Sequence, residues 1–142
     1  MSETASIVTF MKTGRLGPLE IGSPEANVRA LLGPPEAIGR GFGKTLIQQY
    51  AGGRLELTVS KAKQLVLIAL FPFRGSEPSG VALLDDLPTG ARESAAVLEQ
   101  WLRQERLSFE IVDEDADSRA LRLATGVTVS FSNGSLYSVQ RS

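Results

Sequence analysis

Two stretches of strict alternation constrain this chain most. Leu55, Leu57 and Val59 alternate with Arg54, Glu56, Thr58 and Ser60. Val127, Val129 and Phe131 do the same with Thr128, Ser130 and Ser132. A period of two puts successive side chains on opposite faces, so each stretch is a strand with one buried face and one wet face. The surroundings match too. Leu65-x-x-Ile68 follows the first stretch and Leu136-x-x-Val139 the second, while Gly53 and Gly126 precede them. In outline each half reads as a helix and then a run of antiparallel strands. Alternating strands all look alike, so duplication and chance compete as explanations. The fold expected is α+β: an antiparallel meander sheet of about six or seven strands, with two or three helices packed on one face and the other face open. Under duplication the chain would be a degenerate tandem α-β-β-β repeat, with half-repeats 1–72 and 88–142 inside a single domain 1–142. A chain of 142 residues suits one domain.

The helices are marked by punctuation. Ser23 is a good N-cap, Pro24 suits the first helical position, Gly33 can close the end, and Pro34-Pro35 cannot continue it, which predicts a helix of about 9 residues. Thr89 is expected to cap a longer helix over Gly90–Arg106, with the stripe Ala91, Ala95, Leu98 and Leu102 flanked by Val97 and Trp101. Residues 4–13 fit a short helix or a strand, ended by Gly14. Glu36–Gly43 reads as a loop, Thr45–Tyr50 as a strand, and Gly52-Gly53 as a hairpin turn. Leu65–Phe71 is a nearly continuous apolar strand, which implies two covered faces or one that meets a partner. A short strand is expected near Val81–Leu84. Phe109–Val112 follows as a strand, Asp113–Ser118 as an acidic turn, and Asn133-Gly134 as the last hairpin turn.

What is missing narrows the chemistry. There is no histidine and no cysteine. That removes Ser-His-Asp triads, thiolate nucleophiles, disulfides and most zinc sites. The formal net charge is −1, whereas a nucleic-acid-binding domain carries a basic excess. Met1–Lys12 lacks a basic leader pattern, and no stretch approaches the roughly 20 apolar residues of a membrane span. The expectation is a cytoplasmic protein with no cofactor, no nucleic-acid partner and no membrane partner.

Ile21-Gly22-Ser23-x-x-x-x-Val28-x-x-Leu31-Leu32-Gly33-x-Pro35, followed by the Leu-x-Leu-x-Val and Leu-x-x-Ile strands, resembles modules with the β-lactamase-inhibitor-protein-like fold. The small outer-membrane assembly lipoproteins share that fold and a similar phrase, and many small bacterial immunity-type proteins look similar. The match covers about residues 19–71; the second half matches only by pattern. The chain departs from the lipoproteins in having no cysteine to acylate. The resemblance implies a protein-binding module that uses a sheet face or loops. Its most concrete form is an immunity or inhibitor protein whose partner is a toxin or an enzyme. A homodimeric structural or regulatory subunit is the alternative, and a small-ligand binding protein the second.

Four local motifs have the residue types for chemistry or contact. Gly39-Arg-Gly-Phe-Gly43-Lys44-Thr45 looks like a phosphate loop, but Ile38 stands where the first glycine is needed and a strand follows where a helix should, so it reads as a structural turn. Asp113-Glu114-Asp115-Ala116-Asp117 resembles the start of a calcium loop, but Ser118 and Ala124 occupy the positions for Gly and Glu. A solvated acidic turn fits better, with Asp113, Glu114, Asp115 and Asp117 as candidate contacts for a basic partner. Asp85-Asp86 are adjacent loop carboxylates, a poor arrangement for converging on one site. Phe73 and Arg74, at the end of the apolar strand, are candidate interface anchors. Phe71 and Trp101 read as packing residues and Tyr50 as an ordinary strand residue.

Overall fold

The computed structural model describes residues 3–72, 81–84 and 86–142. The chain runs β1 (Glu3–Ser6), α1 (Ile7–Thr13), α2 (Glu25–Leu32), β2 (Ala37–Arg40), β3 (Leu46–Tyr50), β4 (Leu55–Val59), β5 (Leu65–Leu70), β6 (Val81–Leu84), α3 (Ala95–Gln104), β7 (Phe109–Glu114), β8 (Ser118–Leu123), β9 (Thr128–Ser132) and β10 (Ser135–Arg141). The protein is α+β, built on a large antiparallel sheet. Eight strands lie in the order β2-β3-β4-β5-β10-β9-β8-β7, and β1 pairs separately with β6 in parallel.

The sheet is two four-strand meanders joined on their last strands. β2 to β5 form one and β7 to β10 the other. The seam is three residue pairs: Val139 with Leu70, Gln140 with Ala69, and Arg141 with Ile68. The segments that look alike in sequence occupy equivalent places. Leu55–Val59 and Thr128–Ser132 are the third strands of their meanders, and Leu65–Leu70 and Ser135–Arg141 the fourth.

Strand count and helix limits differ from the sequence expectation. The first meander has four strands rather than three, because β2 forms where a loop was expected; in the second, all four strands fall where strands were expected. Pro34-Pro35, Gly39 and Gly41 hide β2, and it is exposed along its whole length, so it carries no burial signature. Residues 4–13 are strand and then helix, with Ser6 as the N-cap accepting from Thr9 N at 3.0 Å and Gly14 closing the helix at φ 72°. Asp86 also serves this helix, accepting from Val8 N at 2.9 Å and from the Ser6 hydroxyl. Ser23 does not cap α2. Its hydroxyl accepts from Glu20 N, and Pro24 bridges to Gln64, which leaves α2 to begin at Glu25. The long helix starts five residues later than Gly90, because Ser94 rather than Thr89 caps it through Val97 N. Ala91 is buried, but in the turn ahead of the helix. The acidic turn is shorter than expected: Asp113 and Glu114 belong to β7, and Ser118 opens β8.

Register and alternation sort the sheet's side chains into two sets. The first includes Gln48, Tyr50, Leu55, Leu57, Leu65, Ile68, Leu70, Arg119, Leu121, Val129, Phe131, Leu136 and Val139. The helices bond to this set. Glu25 of α2 accepts from Gln48 Nε2 at 2.7 Å, and the Tyr50 hydroxyl donates to Gly33 O, 3.0 Å away, just past the end of α2. Glu99 of α3 accepts from Arg119 Nη2 at 3.1 Å, with Arg119 Nε 2.9 Å from its other oxygen. Arg141 reaches Gly14 O at the end of α1 at 3.2 Å. Between helices and sheet lies one apolar cluster that draws on both halves, with Ile7, Phe10, Met11, Val28, Leu98 and Leu102 from the helices.

Glu99 is 8% exposed and its partner Arg119 32%. Removing the carboxylate leaves a half-shielded guanidinium with fewer partners, a cost of about 2 kcal/mol for a charged hydrogen-bonded group that keeps some solvent. Chemical denaturation should show Glu99→Ala losing roughly that amount, and Glu99→Gln, which keeps one acceptor, losing less.

Candidate functional site

Among the described residues, no helix bond of this kind reaches the second set of sheet side chains. It includes Ile47, Gln49, Glu56, Thr58, Leu67, Ala69, Gln140, Ser138, Ser130, Thr128, Ala120 and Arg122. At the seam Ala69 lies between Gln140 and Glu56, and Ala69, Ser138 and Thr58 are buried. Above them stand two aromatics. Phe71 continues β5 by donating its N–H to Arg54 O, which puts it on the side opposite Leu70. Tyr137 is the extra residue of a β-bulge between Leu136 and Ser138. The rings meet edge to face, centroids 5.9 Å apart at 75°. Phe71 is buried and Tyr137 is 54% exposed, so the pair presents one exposed phenol.

The sequence candidates do not converge. Phe73 and Arg74 lie outside the described residues, as does Asp85. Glu114 is ion-paired to Arg119, which joins it to Glu99 and the helix side. Asp113 pairs with Ala120 across the strand and so belongs to the opposite face. Asp115 serves its own turn: its Oδ1 accepts from Asp117 N at 2.8 Å and Ser118 N at 2.9 Å. Those backbone N–H groups, that of Asp117 first, hold its carboxyl below the ordinary carboxylate range. Asp117 is exposed. A cavity of about 800 Å³ opens beside this turn, lined by Ala95, Glu114, Asp115, Arg119, Phe131 and Asn133 among others. Among the described residues no group of three or more Asp, Glu, His or Cys side chains is placed to hold a metal ion. Of the glycine-rich segment 39–45, Gly39 and Arg40 end β2 and the rest forms the β2–β3 turn, which leads into a strand.

Sequence reasoning missed three features. Tyr137 looks like any outward strand residue, and nothing local sets it against Phe71. Phe42, in the β2–β3 turn, is 97% exposed. Its flanking glycines were the available signal, but they were read as turn punctuation alone. Tyr50 is fully buried, and burial raises its phenol above the usual range, with Arg29 opposing and Glu25 adding to the shift.

No protein-family model matches the chain, and neither does any curated protein. Among solved structures it is similar to an extracellular protein containing a SCP domain from Bacillus anthracis, whose crystal structure was determined at 1.5 Å resolution. The two are 11% identical over 84% of this chain and 43% of that one, with a TM-score of 0.46. No helix among the described residues is long and apolar enough to cross a membrane.

The Asp115 turn has a defined pH response. Its folded pKa lies below the unfolded one, so its contribution is complete above the ordinary carboxylate range and is lost as pH falls through the depressed value. Proton NMR of the Asp117 and Ser118 amides should therefore report an acid transition below the usual Asp range. Asp115→Asn should remove that transition.

Proposed function

We propose that this chain is a non-catalytic protein-binding module whose contact surface is the helix-free sheet face around Phe71 and Tyr137. The observation that carries the reading is the exposed Tyr137 phenol, set edge to face on the buried Phe71 ring beside the small side chains Ala69 and Ser138. Such side chains let a partner approach the sheet closely, and Tyr supplies a rigid amphipathic anchor. The helix layer on one face, the two equivalent meanders and the Ile21–Pro35 phrase together support a degenerate tandem repeat with the β-lactamase-inhibitor-protein-like fold. In its concrete form the module acts in the cytoplasm as an immunity or inhibitor protein, covering a toxin or an enzyme. The missing histidine and cysteine, and the structural employment of Glu99, Glu114 and Asp115, are what speak against catalysis.

Affinity purification of the tagged chain from its native cell tests this, with Tyr137→Glu as the paired variant and circular dichroism as the folding check. The expected result is a stoichiometric partner recovered by the native chain and lost by the folded variant. A partner that, when expressed alone, kills cells rescued by this chain would support the immunity form. Equal recovery by both chains would move the interface off this face.

A further inference from the structure

We propose that copies of this chain associate head to tail, with the β2 edge of one molecule laid against the β7 edge of the next. Both outer edges of the eight-strand sheet are without a neighbouring strand among the described residues. Every step across the sheet is antiparallel, and seven such steps separate β2 from β7, so these two strands run in opposite directions. A second copy set alongside by simple translation therefore meets β7 with an antiparallel β2, the pairing the sheet already uses.

Side chains on the two edges favour this match over the symmetric ones. Exposed large apolar residues gather there: Ile38, Phe42 and Leu46 at the β2 end, Ile111 and Val112 on β7. Arg40 and Lys44 give the first edge positive charge, while Asp113 and the exposed Glu110, which lies 3.9 Å from Arg122, give the second negative charge. Charges on a free edge ordinarily guard it against pairing with its own kind. Here the guards have opposite signs, so they repel like edges and attract unlike ones. The contact is heterologous, and it leads to rings or open chains rather than a closed dimer. The four-residue length of β2 and the bulge in β7 limit the ladder, so the contact is weak and salt-sensitive.

Sedimentation velocity on the native chain tests this. The weight-average mass should exceed one chain at low salt, rise with concentration without levelling at two copies, and fall back to one chain in about 1 M salt, where the screening length is about 3 Å. Arg40→Glu with Lys44→Glu should give single chains, and so should Glu110→Lys with Asp113→Lys. An equimolar mixture of the two variants should recover assembly. Either a native chain that stays single at every concentration, or a dimer unmoved by both reversed pairs, would overturn the proposal. Should a reversed chain fail to fold, carbodiimide cross-linking of the native protein decides. The edges lie seven strand spacings apart, roughly 34 Å, so a bond between Lys44 and a β7 carboxylate has to join two molecules. Its absence at low salt would refute the contact.

Discussion

Three residue pairs between β5 and β10 hold the architecture together. Each meander is locally connected and closes its own turns, but only the Leu70–Val139, Ala69–Gln140 and Ile68–Arg141 pairs make one sheet of two. A ladder this short is a weak fastening by itself, and the chain reinforces it from the helix side. Arg141, the last residue of the seam, donates to Gly14 O at the end of α1. Thr125, in the β8–β9 turn, donates to Met11 O of the same helix at 2.8 Å. A side chain on Gly126 would begin 3.2 Å from Arg141 Nε, so glycine there lets the guanidinium lie across the turn. Thus α1, which belongs to the first half, is docked on the second, and the apolar cluster runs unbroken beneath the seam.

The two halves also anchor their helices in the same way. In each meander the second strand sends a polar side chain into the helix layer, where a carboxylate from the preceding helix meets it. Gln48 of β3 bonds Glu25 of α2, and Arg119 of β8 bonds Glu99 of α3. Burying polar groups costs free energy unless they are paired, so such contacts fix position more than they add stability. Apolar packing alone would let a helix slide over the sheet; one directional bond per half sets its place. Lys12 then ties α1 to α3, bonding Glu105 at 2.7 Å with its ammonium over the Trp101 ring.

Much of this was legible in the residues wherever a local signal decides. Alternation placed β4 and β9, and Asn133-Gly134 marked its hairpin because both residues take positive φ there. The two glycine-closed helix ends were also visible. The failures share a physical cause, which is competition from distant parts of the chain. Ser23 has the right chemistry for a cap, but Glu20 N takes its hydroxyl. Thr89 lost to Ser94 because the intervening turn buries Ala91. β2 escaped because an exposed edge strand has no buried side to alternate. The candidate contact residues fared worst. Asp113 and Glu114 are neighbours in sequence, yet β-pleating sends them to opposite faces, and the acidic run therefore says nothing about a site.

That dispersal bears on what kind of work the fold suits. Chemistry needs polar groups that converge, and here several of the described carboxylates are engaged in holding elements together: buried Glu99 and exposed Glu114 on Arg119, Asp115 on its turn, Asp86 on the start of α1. Among the described residues, other features are different in kind: an exposed phenol on one face, apolar side chains along two edges, and edge-strand backbone with no neighbouring described strand. Those are means of contact. They also lie in different places, the aromatic pair at the centre of one face and the edges at either end of the sheet. A partner seated on the face would leave the edges free, so head-to-tail association and partner binding are compatible, and an assembled row of sheets would present the same face repeatedly. Linked contacts of that sort raise the effective affinity for a multivalent partner without any new interaction at the single site.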